Sequence, residues 1–413
     1  MLRVLNTFYS GFRLRLSQVE YPIFLVCGWF LASRLLLTIT GLISRNILDP
    51  NTGLNQYEHP VSAGLPTWLG MWGVWDSQAY LRISVSGYPA GDIDIVGLPS
   101  LAQRAFFPLY PTLMNLLGSV IGNNYLAGLI ISNLCLLGCG YLLYKLVNID
   151  YGQKLAKLSV IFLFLFPTSF IFSGLFTESL FMFLLLLTIY LAKTKKYMLA
   201  GLAAALLTAT RSSGIFVIIS LIFIYFLPKL VSQFSARNIN LRVMFRETLK
   251  QFSPAKIFSL ALVPMGLISY AIYTKITTGS FLTFIMVQEF WGRSAVNPIF
   301  TIGHNLLYGG RYGFWGSAYT ITTLVVLLVA IRKLRLEYLL LSCILIIFPL
   351  LSSPLAAHLS SMPRYIATVF PLFIALALIT KNSKALRWLC FILLAISQIL
   401  LMFFWVNGTG WVV

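Results

Sequence analysis

The chain reads as an all-α polytopic membrane protein, and three observations predict it. Hydrophobic residues make up 59% of the 413 positions and charged residues 10%, where a soluble domain carries about 25% charged. Apolar runs of about 18 to 25 residues recur from end to end, each long enough to cross a hydrocarbon core of about 30 Å. Lysine and arginine gather in the short stretches between those runs, as the positive-inside rule requires.

That charge distribution also excludes a function class. The formal net charge of +19 invites nucleic acid as a partner, because basic patches bind phosphates. Charge confined to short loops between apolar runs is topogenic instead, and the partner it implies is the lipid bilayer. The five cysteines all fall inside apolar runs with no CxxC pair, so they read as small buried hydrophobes.

Taken in order, Arg3, Arg13 and Arg15 place the N-terminus in the cytoplasm before a first span at about residues 22–43. That span is too long for a signal-peptide core and reads as a retained anchor. Residues 45–123 then form a first extracytoplasmic loop holding Asp49, Glu58, Asp76, Asp92 and Asp94, five of the eleven acids. A loop of that length is expected to be functional. Residues 106–121 and 124–147 are both apolar. If both crossed, the lysines at 193, 195 and 196 would fall outside. The first, short and opened by Pro108 and Pro111, is therefore expected to lie in the membrane plane.

Further spans follow near 157–173, 178–192, 197–210, 212–227, 256–276, 313–331, 336–353, 364–380 and 385–406. This gives about eleven crossings, with the N-terminus inside and the C-terminus outside. A basic stretch at 228–255 reads as a cytoplasmic, surface-lying connector, and 277–312 as a second large extracytoplasmic loop. The same register brings Glu178, Glu289, Arg211, Arg293, Arg311, Arg364 and the three histidines His59, His304 and His358 to or near the outer face.

Several constellations on that face could carry chemistry. Trp72, Asp76 and Tyr80 are spaced by four and would share a face if helical. An aspartate beside Trp72 and Trp75 could be desolvated into a better base, or it could cap a helix or pair with Arg82. Glu178 follows Thr177 at a helix start, where a dipole favours it, or it could shape an acceptor pocket. Arg211 interrupts an apolar stretch, which is costly unless it meets water or an anion. Its guanidinium suits a lipid phosphate, or it could snorkel or pair with an acid. Arg293 and Arg364 could neutralise a phosphate at the same level. Trp291 and Tyr365 read as belt aromatics. No cluster has metal-ligand spacing and no phosphate-binding glycine loop is present, so neither metal nor other cofactor is expected.

Together these blocks resemble the PIG-V family, the GPI mannosyltransferase II type, and its bacterial relatives in the GT-C superfamily. The matching residues are Trp75-Asp76 with Tyr80, Ile83 and Gly87-Tyr88, then Phe106-Phe107-Pro108-Leu109-Tyr110-Pro111. Phe176-Thr177-Glu178-Ser179-Leu180-Phe181, Ala209-Thr210-Arg211-Ser212 and Phe290-Trp291 follow in order. Ser77 departs from the pattern, which leads one to expect glycine there.

The resemblance implies a GT-C bundle whose first outer loop carries membrane-parallel helices. It implies transfer of a sugar, usually mannose, from a polyprenyl-phosphate donor to a glycan or glycolipid acceptor, with inversion. Asp76 would take the base position, and Arg211, Arg293 and Arg364 would bind the donor phosphate. Trp75, Tyr80, Arg82, Glu178, Glu289, Trp291 and His304 would line the substrate pocket. The site would face the periplasm of a bacterial inner membrane, or the ER lumen. A transporter or flippase of a lipid-linked sugar is the alternative, although such proteins tend to show repeated halves and none is visible here.

Overall fold

Apolar helices of very unequal length make up the architecture. The computed structural model describes residues 2–47, 65–226, 252–293, 295–351 and 358–408, and among them there is no strand. Asp49, Glu58, His59 and most of the 228–255 connector lie outside the described residues, as do the side chains of Trp291 and His358.

Among the described residues, five helices are long and apolar enough to cross a membrane: Pro22–Ile47, Asn124–Tyr151, Pro254–Thr278, Gly310–Ala330 and Lys384–Trp405. They expose ranks of large apolar side chains such as Phe24, Leu31, Leu134, Ile276, Leu328 and Leu393, a surface suited to lipid and costly in water. The chain is thus an integral membrane protein. The remaining apolar helices are short, including Tyr197–Thr210, Leu336–Leu351 and Pro371–Thr380.

The segment expected to lie in the plane is a separate helix, Leu109–Ile121, of 13 residues. At 1.5 Å per residue it reaches only about 20 Å, short of a hydrocarbon core. Gly122, at φ 77°, ends it in the left-handed region, and the Asn123 side chain caps the next helix by accepting from the Leu126 N–H. Tyr110, Met114 and Gly118 face inward while Val120 is 81% exposed, so one face is anchored and the other is free for lipid.

Pro167 stops the helix Gln153–Leu165, and residues 166–177 run through a 3₁₀ turn, Ser169–Ser173, fully buried in the bundle. Backbone leaving the helical ladder in such surroundings needs other partners. Arg34, from the first span, supplies them. Its Nη1 donates to the Ser169 carbonyl at 2.9 Å and to Ser173 Oγ at 2.7 Å, and its Nη2 donates to Ser169 Oγ at 2.8 Å. Gln398 adds a hydrogen bond to the Phe164 carbonyl at 2.9 Å. This stapled break delivers Thr177 and Glu178 to the start of the helix Glu178–Lys193.

That helix has an ionic cluster at each end, about 22 Å apart by its rise. At the far end Lys193 bridges Asp150 at 2.8 Å and Glu337 at 3.2 Å, Arg335 holds Glu337 at 2.5 Å, and Tyr338 donates to Asp150. The cluster ties together the ends of Asn124–Tyr151 and Glu178–Lys193 and the start of Leu336–Leu351. The basic stretches at 145–157, 193–196 and 332–335 therefore meet at one end of the bundle. Lys193 and both acids are almost fully buried. Lys193→Met leaves two carboxylates short of a cation and is expected to cost about 3–5 kcal/mol, seen as a lowered melting temperature in detergent. An unchanged melt would show that Arg335 alone suffices.

Candidate active site

At the near end of Glu178–Lys193 charged residues from five separate stretches converge. A shared face of Trp72, Asp76 and Tyr80 requires helix from residue 72, but the helix is Ser77–Ser86, with Asp76 at its N-cap and Trp72 outside it. Trp72 therefore packs away from the acid, against Trp405 with ring centroids 6.4 Å apart. Trp75 sits at φ 56°, a conformation that non-glycine residues adopt rarely and at a cost of about 1–3 kcal/mol. Asp76 occupies the N-cap position, yet its carboxylate makes no capping bond. It turns instead to Arg364, whose Nη1 donates to Asp76 Oδ2 at 2.6 Å.

From Arg364 the network runs inward. Its Nε lies 3.0 Å from Glu178 Oε1, and the same oxygen takes Arg211 Nη1 at 2.6 Å. Thr177 Oγ1 stands 3.5 Å from Arg211 Nη1 and 3.3 Å from the Tyr80 hydroxyl. Tyr80 is held edge-on by Phe106 and Tyr110, at 5.1 and 5.4 Å. The two carboxylates thus share Arg364 but differ in access. The Asp76 side chain is 23% exposed and that of Glu178 1%. Glu178 holds two cations with one oxygen, while Asp76 Oδ1 has no hydrogen-bond partner among the described residues.

The third cation is Arg293, whose Nη2 donates to the Tyr365 hydroxyl at 2.8 Å. The Tyr365 ring carries Arg211 at 5.0 Å and Arg364 at 5.4 Å from its centroid, within cation–π range. Three guanidiniums face two carboxylates here, which leaves one positive charge over. Arg364 and Tyr365 are adjacent on the short helix Met362–Ala367, with Pro363 in its first turn. Sequence reasoning passed over Tyr365, because an aromatic beside a span reads as a belt residue.

The structure thus brings Asp76, Tyr80, Glu178, Arg211, Arg293 and Arg364 together, with Trp75 beside them. It answers the pairing alternatives: Asp76 meets Arg364, not Arg82, and Arg211 is ion-paired to Glu178 instead of snorkelling. Arg82 lies six residues along from the N-cap on a 3.6-residue turn and points outward, exposed. Glu289 is exposed too. His304 stacks along its own helix between Phe300 and Tyr308, at 5.7 and 5.5 Å. None of these three has an ion pair with the cluster among the described residues.

No protein-family model and no curated protein matches the chain. Among solved structures it is similar to the oligosaccharyltransferase of Archaeoglobus fulgidus in its apo form, at 14% identity and TM-score 0.43 over 93% of this chain and 56% of that one. It is also similar to that enzyme tethered to an acceptor peptide, at 14% identity and TM-score 0.41 over 93% and 55%. A third match is the same archaeal protein, AglB, with an inhibitory peptide and a dolichol-phosphate, at 15% identity and TM-score 0.41 over 93% and 56%. The chain spans about half the length of these structures, and a likeness at this level assigns it no activity.

Proposed function

We propose that the chain is a membrane glycosyltransferase that moves a sugar, mannose in the first instance, from a polyprenyl phosphate to an extracytoplasmic glycan or glycolipid acceptor. One observation carries the reading. A half-open carboxylate, Asp76, is fixed by Arg364 at the rim of a cluster whose guanidiniums outnumber its carboxylates by one. That surplus matches the single negative charge of a sugar phosphodiester. The ordered motifs shared with the PIG-V type support mannose, a GT-C bundle of about eleven crossings, and a site on the extracytoplasmic side.

The reaction then keeps the site neutral throughout. The acceptor hydroxyl attacks the anomeric carbon from the side opposite the phosphate and passes its proton to Asp76 Oδ1. The bond from that carbon to the phosphate oxygen breaks, and its electron pair stays on the phosphate. As the leaving group gains one negative charge, Asp76 loses one. The net charge of protein plus donor is unchanged, and configuration inverts. Glu178 is too enclosed for the base role and serves to hold Arg211 and Arg364 in place. Arg293 has no carboxylate among the ion pairs of the described residues. It is the cation with capacity for the donor phosphate, and a preorganised donor of this kind stabilises charge as it develops.

The test uses radiolabelled polyprenyl-phosphate mannose in proteoliposomes containing the full chain and a glycolipid acceptor fraction. Label should move to the acceptor with inverted configuration. Label that crosses the bilayer without changing carrier would make the protein a flippase. In the same assay Arg293→Gln should raise the donor KM about 10- to 100-fold, because a charged hydrogen bond is worth about 1.5–3 kcal/mol. A donor KM like that of the wild type would remove Arg293 from the phosphate site.

A further inference from the structure

The Tyr365 hydroxyl occupies an unusual position in this cluster. Its oxygen accepts from Arg293, which leaves its own O–H to donate, and no acceptor for it is present among the described residues. The residue is half-buried. An O–H set among three guanidiniums is matched to an anion. We propose that Tyr365 is a further residue of the transfer reaction, donating a hydrogen bond to the phosphate oxygen that takes up charge as the sugar leaves. The proposal rests on the donor-phosphate reading above and deepens it. No proton is transferred from Tyr365. The acceptor's proton goes to Asp76, and the phenol stays protonated while Arg293 supplies the charge.

Geometry of this kind has a pH signature. The expected span 364–380 is broken after Ala367, and the short helix Met362–Ala367 stands apart from Pro371–Thr380 and is not among the helices of the described residues long and apolar enough to cross. Burial pushes the phenol up, but Arg293, Arg364 and Arg211, with the hydrogen bond from Arg293, bring it down to about 8. The other groups facing it are the carboxylates of Asp76 and Glu178 and the Tyr80 phenol, which burial holds well above its ordinary value. Below about pH 8 the Tyr365 O–H is present and donates. Above it the phenolate can only accept, and its charge takes the place of the phosphate's. Affinity for a phosphodiester should therefore fall about tenfold per pH unit once the competent form becomes the minor one.

The experiment measures binding of a prenyl methyl phosphodiester, whose single charge is constant from pH 6 to 10, to the full chain in nanodiscs. Wild-type affinity should be flat to about pH 7.5 and fall above pH 8. Tyr365→Phe should bind about 10- to 100-fold more weakly at pH 7 and lack the alkaline fall. Ultraviolet difference titration of the free proteins serves as the control for folding. A tyrosine ionising near pH 8 in the wild type should be missing from the folded variant, and its persistence there would overturn the assignment. Tyr365→Phe binding as tightly as the wild type, or keeping the alkaline fall, would also overturn it while the functional reading stands. A wild-type chain that binds no phosphodiester at any pH would remove both.

Discussion

Asp76→Asn is expected to reduce sugar transfer by about 10²- to 10⁴-fold, the usual contribution of a general base, while the protein stays folded and keeps its donor affinity. The substitution conserves shape, and the amide oxygen can still accept from Arg364, so the position of that arginine survives. Only the proton acceptor and one negative charge are lost. Removing that charge leaves the cluster more positive, so the donor KM should stay the same or drop. A fall in kcat without a rise in donor KM is thus the signature, read in the proteoliposome assay. An Asp76→Asn chain that transfers sugar at the wild-type rate would take Asp76 out of the mechanism. Loss through donor affinity instead would make Asp76 a positioning residue for Arg364.

Glu178→Gln should act on a different quantity. Glu178 is 1% exposed at its side chain and one of its oxygens meets both Arg211 and Arg364. Removing its charge leaves two enclosed guanidiniums with Asp76 as their remaining anion. Breaking one side of a buried pair costs about 3–5 kcal/mol, so a large drop in detergent melting temperature is expected, with activity falling as a consequence. The double variant Glu178→Gln/Arg211→Met should recover part of that stability, since the strain comes from an uncompensated cation. Recovery above the sum of the single effects is the coupling a double-mutant cycle isolates. A single variant that melts like the wild type would show that Glu178 does not hold the two arginines in the folded protein.

Composition and charge placement alone determined the membrane class, because an excess of apolar runs has no soluble solution and lysines in short loops reveal which ends belong together. The meeting of Asp150, Lys193 and Arg335 at one end, with Glu178, Arg211 and Arg364 at the other, follows from that sidedness. Sequence also set 106–121 apart by its length and its prolines, and the structure makes it a separate helix, Leu109–Ile121, between Pro108 and Gly122.

Pairing was a matter for tertiary structure. Asp76 and Arg364 are 288 positions apart, and Glu178 and Arg211 are 33 apart. Side chains at such separations meet only when helix packing and chain breaks aim them. Three features do the aiming: the left-handed Trp75 before Asp76, the Arg34-stapled turn before Glu178, and Pro363 in the turn that carries Arg364. Arg82, Glu289 and His304 have the right residue types but lie outside the ion pairs of the cluster among the described residues, since residue type alone does not reveal which face a side chain reaches. Tyr365 has an ordinary type for its position and becomes distinctive only among three arginines. Local sequence determined which groups would be polar at the membrane boundary. Long-range packing decided which of them share a charge.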